Sequence, residues 1–433
     1  MIISKVAVAV AAAGLAAATF ADVAVKNVTV QQRWPWNGKV DIDYEVTSDS
    51  AEDSVFVYPT GLETDRNIAI APRTLSGDGV TDGMIGARVK PGKHRMTWDM
   101  GKDEPTLHSS AFTVTMHAVK GGMYLVIDLT GGTDATTFPF RYSDTPPSVA
   151  VTDDSARTTN LWLRLCLPGT FMMGSPSDEL GHWAPKAYYY DYHYEDLHPV
   201  TLTKPFYIGV FETTQKQYEL VTGKTPSNAK GDTRPVEQVS YDDLRGSIAG
   251  AAYPAHSQVD PDSFFGILRA KTGIMFDLPT EAQWEYACRA GTSTALNSGK
   301  NLTATGKCEN VAEVGRYDGN RSDARGGFLD YTTHTVVGLY KPNAWGLYDM
   351  HGNVSEICLD WFQERLGNSA VENPIGGTQC AYYDSHRWRY GRTVKGGDYY
   401  SYGVSVRSAS RANGEGGSYT CGFRLVAIPV VVE

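Results

Sequence analysis

The sequence predicts an α+β chain in which an all-β sandwich precedes a larger domain of short strands, few helices and long loops. Three observations lead there. Apolar and polar residues alternate at period two from residue 22 to about 120, the mark of strands with one buried face. The 25 Tyr, 9 Trp and 44 Gly of the 433 residues favour β and loop structure over helix bundles. Helical signals are confined to three short segments in the second part.

The first domain is predicted over residues 22–150, linker included. Its strand-like runs are Val23-Ala24-Val25, Val40 to Val46, Ser54 to Tyr58, Arg95 to Trp98 and Ala111 to Met116. Turn residues such as Trp36-Asn37-Gly38 and Lys90-Pro91-Gly92-Lys93 separate them. Short strands at this spacing predict an immunoglobulin-like sandwich, although no Cys…Trp…Cys pattern is present. One more strand, Met123 to Leu129, precedes two polar stretches around Pro146-Pro147 and Asp153-Asp154 that read as an exposed linker.

The second domain is predicted over 151–433 and opens with a strand, Leu161 to Leu167. A tyrosine-rich insertion runs from His182 to His198; its three histidines (His182, His193, His198) lack metal-ligand spacing. Helices are expected from Thr213 to Val221, from about Asp260 to Thr272, and from Thr280 onward. Thr213 or Thr214 caps the first and Thr280 the third. Trp284 and Ala287 are expected to face the core.

Composition bounds the function. Hydrophobic residues make up 42% and charged ones 20%, a globular balance, and the length suffices for two cores. The net charge is −10 and no lysine-arginine run occurs, which argues against a nucleic-acid partner. An acidic surface suits calcium or a neutral ligand such as a glycan.

Residues 1–21 read as a signal peptide: Lys5, an apolar run from Val6 to Thr19, and Ala21 before Asp22. The chain is therefore expected to be secreted, periplasmic or at the cell surface, and no later stretch is apolar enough to span a membrane. Asn27-Val28-Thr29 and Asn301-Leu302-Thr303 are glycosylation sequons, relevant in a eukaryotic secretory route. The six cysteines (Cys166, Cys288, Cys308, Cys358, Cys380, Cys421) are compatible with disulfides in an exported chain, or with free buried thiols.

The densest chemistry lies in Asn343 to Trp361, NAWGLYDMHGNVSEICLDW. Asp349 and Glu356 are read as carboxylate ligands of calcium, with Gly352 and Val354 adding carbonyl oxygens. Hard cations take oxygen donors around a sharp turn. The alternative is a polar turn closed by Asx-type hydrogen bonds.

This stretch resembles the signature of the formylglycine-generating enzyme / sulfatase-modifying factor family. Further blocks match in order: Gly169 to Ser175, His198-Pro199-Val200 with Phe206-Tyr207-Ile208, Pro235 to Ser240, Leu278 to Ala287, Lys395-Gly396-Gly397 and Gly422-Phe423-Arg424-Leu425. The resemblance spans roughly residues 160 to 428. It implies a C-type-lectin-like fold, strengthens the calcium reading, and implies a second calcium site for which Asn310 and the Val311 carbonyl are candidates.

The family's founding activity oxidises a substrate cysteine to formylglycine with copper and oxygen. The resemblance implies two copper-binding cysteines after Lys395-Gly396-Gly397. Those positions fall at about Ser401 and Val406, which cannot replace thiolates on Cu(I). An iron-dependent branch needs H-x-x-x-H-x-E, which is absent here. A serine hydrolase reading fails for want of G-x-S-x-G.

In their place stands DYYSYGVSVRSASRANGEGGSYT, Asp398 to Thr420, with four Tyr and five Ser. Tyr gives contact area at low entropic cost, and Ser and Gly adapt, as in paratopes. Tyr399, Tyr400, Ser401, Tyr402 and Tyr419 are the binding candidates, with Arg407 and Arg411 as anion contacts. Strand alternation would turn half of such side chains inward.

The reading is an exported, calcium-stabilised binding protein that recognises an extracytoplasmic protein or glycan. The alternatives are a formylglycine-generating oxidoreductase acting on a cysteine of a sulfatase or other protein, and a purely structural surface component.

Overall fold

A computed structural model of the chain describes residues 23–33, 35, 37–50, 54–63, 68–70, 72, 74–81, 84–85, 88–103, 112–150, 152–183, 195–321, 333–377, 382–384, 387–389, 391–414 and 416–432. The expected signal peptide, His193, Cys380 and most of the tyrosine-rich insertion lie outside them.

The alternation of the first domain becomes two facing sheets. In one, Ala24–Gln32, Lys39–Thr47, Gly92–Asp99 and Leu75–Gly77 pair in that order; in the other, Phe112–Lys120 lies beside Val55–Glu63. Strand Lys39–Thr47 sends every second residue inward. Val40, Ile42, Tyr44 and Val46 meet Val55, Val57, Met96, Trp98, Met116 and Ala118 in one apolar core. Burying a row of such side chains stabilises by about 1.5–3 kcal/mol each, which binds the two sheets together.

The second domain is built around a six-stranded sheet. Its order is Phe140–Ser143, Tyr124–Asp128, Asn160–Cys166, Phe206–Gly209, Val426–Ala427 and Phe276–Asp277. Two strands of this sheet precede the expected boundary near residue 150. Tyr124–Asp128 pairs with Asn160–Cys166 and Phe140–Ser143, so it belongs to the second domain's sheet. The chain changes sheet at Gly121-Gly122, where Tyr142 and Ser143 approach too closely for a Cβ. The C-terminal strand Val430–Val432 then returns to the sandwich and pairs with Ala118 to Lys120.

Three helices pack beside this sheet, close to where the sequence puts them. Gln215–Thr222 is capped by Thr214, Phe264–Thr272 by Ser263, and Glu281–Arg289 by Thr280. The first and third carry full capping boxes, with Gln217 and Gln283 reaching back to the cap amide. Phe264, Phe265, Tyr218 and Phe423 form an aromatic cluster between helices and sheet. Trp284 and Ala287 are fully buried.

A four-stranded sheet carries the functional region. Its order is Arg411–Gly414, Arg392–Lys395, Ser355–Trp361 and Cys421–Gly422. It joins the end of the signature stretch to the C-terminal tyrosine- and serine-rich segment. Among the described residues no helix is long and apolar enough to cross a membrane.

Candidate functional site

The signature stretch folds as a tight loop running into the strand Ser355–Trp361. Asp349, Gly352 and Asn353 all take left-handed backbone, with φ of 57°, 84° and 65°. Gly352 is required twice over, because a Cβ there would stand 1.9 Å from the Arg316 carbonyl. Asn353 accepts from Thr335 N–H and donates to Glu212, whose other oxygen accepts from Val354 N–H.

Three carboxylates are gathered beneath this loop, and one guanidinium answers them. Glu356 is fully buried, and Arg424 donates to both of its oxygens through Nε and Nη2 at 2.9–3.2 Å. Trp284 Nε1 adds a third donor at 2.7 Å. Asp349 Oδ2 accepts from Gly338 N–H, while its buried Oδ1 has no hydrogen-bond partner. Burial pushes the Asp349 carboxyl up to about 6. Burial, with Asp349 and Glu356 close by, raises Glu212 well above the carboxylate range.

The expected calcium ligands are thus brought together in sequence but differ in chemistry. Glu356 faces a fixed cation, Arg424, and its oxygens do not fit a calcium ligand as they stand. Asp349 retains one oxygen that does. Gly352 donates its N–H to the Gly396 carbonyl. At the second expected site, Asn310 Nδ2 donates to the Asn301 carbonyl, and the Val311 carbonyl already accepts from Val314 and Gly315 N–H. The described residues contain no group of three or more His, Cys, Asp or Glu able to hold a metal ion.

Above this network the C-terminal segment walls a groove of about 620 Å³. Ser401, Ser405, Ser410, Asn413, Ser418 and Thr420 line it, interleaved with apolar Trp183, Phe362, Val394 and Val404. Asp398 sits among them, and burial raises its carboxyl. Ser401 Oγ donates to Asp398 Oδ1 at 3.2 Å, and Tyr400 N–H donates to the same oxygen at 2.8 Å. Trp183, half exposed, also lines the groove. Sequence reasoning missed Trp183 and Asp398. Asp398 adjoins the Gly396-Gly397 block, but Trp183 comes from a remote loop with no local signal.

The seven expected binding residues divide by burial. Tyr400, Tyr402 and Tyr419 are exposed at 43%, 63% and 53%. Tyr400 and Tyr419 meet edge to face at 6.3 Å, and Arg321 lies over the Tyr400 ring at 4.6 Å. Ser401 is half-buried at the groove wall. Tyr399 is buried, with its ring against Tyr400 at 4.6 Å and edge-on to His334. Its place is under the surface rather than on it.

Arg407 and Arg411, expected as anion contacts, are internal ion pairs. Arg407 is 1% exposed; its Nη1 and Nη2 reach the two oxygens of Glu195 at 2.9 and 2.8 Å, and Nη1 reaches Glu179 at 2.7 Å. Arg411 grips Glu281 through Nε and Nη2, both at 2.6 Å. Both guanidinium charges are matched from within, so the groove presents no free cation from either of them.

The positions implied for copper-binding cysteines are Ser401, on the groove wall, and Val406, fully buried. Cys421 lines the groove, but burial pushes its thiol up to about 12, so no thiolate forms near neutral pH. Cys166, Cys288, Cys308, Cys358 and Cys421 are all free and buried. Of the two states open to the cysteines, free thiols are what these five adopt. His182 and His198 bind separate partners, Ser175 Oγ and the Asp196 carbonyl.

Fold and site together define a loop-rich domain with a buried carboxylate–arginine network beside a groove of mixed hydroxyl and apolar lining. Residues 149–428 match the family model described as "Sulfatase-modifying factor enzyme 1-like domain". The match spans well over half of the chain, which belongs to this family and carries its formylglycine-generating-enzyme-type fold.

The chain is 34% identical over 186 residues to "Chaperone protein LppX" of Paenibacillus barcinonensis, covering 37% of this chain and 64% of that one. It is 33% identical over 157 residues to the formylglycine-generating enzyme of Streptomyces coelicolor, covering 34% of this chain and 45% of the enzyme. It therefore spans less than two thirds of either relative. Among solved structures, Treponema denticola variable protein 1 aligns with a TM-score of 0.46 and 22% identity, over 63% of this chain and 96% of that one.

Proposed function

We propose that this is an exported binding protein whose C-terminal segment recognises an extracytoplasmic protein or glycan. The observation that carries the reading is the pairing of a hydroxyl-bearing groove, whose arginines are matched by internal glutamates, with the exposed Tyr400, Tyr402 and Tyr419. Exposed tyrosines supply rigid contact area, and hydroxyls and amides adapt their hydrogen bonds to a partner. Internal pairing of Arg407 and Arg411 favours an uncharged or weakly polar ligand surface.

The family's oxidative chemistry requires two soft thiolate ligands for copper. Ser401 and Val406 offer none, and the Cys421 thiol is held protonated by burial. Catalysis on a cysteine of a sulfatase or other protein is therefore the weaker reading. Calcium enters as a stabilising ion, supported by the unpartnered Asp349 Oδ1 and opposed at Glu356 by Arg424. Export rests on the leader-like residues 1–21.

Oxygen uptake by copper-treated protein with a cysteine-containing peptide separates the readings. The proposal expects no turnover; steady oxygen consumption coupled to loss of the peptide thiol would overturn it. Elemental analysis of the purified protein tests the ion directly, with calcium and no stoichiometric copper expected.

A further inference from the structure

A second hollow, of about 400 Å³, shares no lining residue with the groove. We propose that it binds a small amphipathic carboxylate, an alkyl or aryl chain bearing one acid group. The walls are largely apolar: Leu167, Phe171, Met172, Tyr286 and Trp345 line it. Tyr286 meets Trp345 edge to face at 5.0 Å and Phe171 at 5.3 Å, which makes a continuous aromatic wall. Tyr286 Oη donates to the Leu167 carbonyl and is held in place. Gly169 is needed to leave that ring its room, since a Cβ there would lie 2.2 Å from Tyr286 Oη.

Two guanidiniums line this hollow, and Arg289 is already paired with Glu285 at 2.8 Å, which leaves Arg164. Arg164, half-buried, lies with its guanidinium 5.2 Å from the Trp345 ring centre. Its Nη1 donates to the Leu165 carbonyl. Among the described residues it has no carboxylate partner, unlike the buried Arg407, Arg411 and Arg424, each of which faces a glutamate. Stacking on an indole fixes a guanidinium without satisfying its charge. The fork left to the hollow matches a carboxylate, and the aromatic wall matches an apolar body of drug-fragment size.

Octanoate and 1-octanol are the probes, titrated into the full chain with calorimetry and Trp fluorescence as readouts. Octanoate is expected to bind at least about tenfold more tightly than 1-octanol, the preference a guanidinium gives a carboxylate. Arg164→Met keeps the packing over Trp345 and should abolish that preference, with circular dichroism confirming the fold. The octanoate–octanol comparison on the unaltered protein needs no variant and stands if Arg164→Met misfolds. Absence of octanoate binding, equal affinity for the two probes, or a preference that survives Arg164→Met would each overturn the assignment.

Discussion

Arg424 clasps Glu356 across 68 positions of sequence, with Nη2 2.9 Å from Oε1 and Nε 3.0 Å from Oε2. Both side chains are sealed from solvent. Trp284 and the backbone carbonyls of Gly209 and Tyr348 complete the network. This one ion pair ties the helix Glu281–Arg289, the signature strand and the C-terminal block together.

Removing one partner of such a pair leaves a charge buried without an answer. Arg424→Met is expected to lower stability by about 3–5 kcal/mol, read by urea unfolding. A loss below about 1 kcal/mol would mean that the pair does not hold these elements together.

Asp360 supplies a pH dependence. Burial, aided by the neighbouring Glu281 carboxylate, pushes its carboxyl up to about 7. A carboxyl raised in the folded state contributes stability that is complete below its unfolded range and is lost as pH rises through about 7. Asp360→Asn keeps an acceptor for the Glu281 N–H, which Asp360 Oδ2 now receives at 2.6 Å. The variant should match the parent near pH 4 and exceed it at pH 8 by at least about 1 kcal/mol. An equal gap at both pH values would contradict this role.

The C-terminal strand gives a third expectation. Val430–Val432 pairs with Ala118 to Lys120 at the edge of the sandwich. Deleting residues 430–433 should destabilise the sandwich by roughly 1–3 kcal/mol, a few backbone hydrogen bonds' worth. Hydrogen exchange should quicken at Ala118 to Lys120. Unchanged exchange there would show that the strand adds nothing to the sheet.

Much of this was legible locally. The capping residues Thr214 and Thr280, the inward rhythm of Val40 to Val46, and the turn demands of Gly352 and Asn353 are all set within a few residues. The matches from Gly169 to Leu425 pointed to the family that the chain proves to belong to. What escaped was long-range. Arg407 and Arg411 look like surface cations until Glu195 and Glu281, 212 and 130 positions away, are folded against them. Burial of Tyr399 beside an exposed Tyr400 follows from turn geometry that composition does not carry. The placement of Tyr124–Asp128 was masked by a polar stretch twenty residues later, which reads as a linker but sits beyond a sheet strand.

The most direct test of the binding account is a side-by-side screen of glycan and extracytoplasmic-protein arrays. It compares the unaltered protein with a Tyr400→Ala/Tyr402→Ala/Tyr419→Ala variant. These three side chains are exposed, so the fold should hold while binding falls at least about tenfold, as expected when aromatic anchors are removed. No ligand for the unaltered protein, or a ligand bound equally by the variant, would contradict the account.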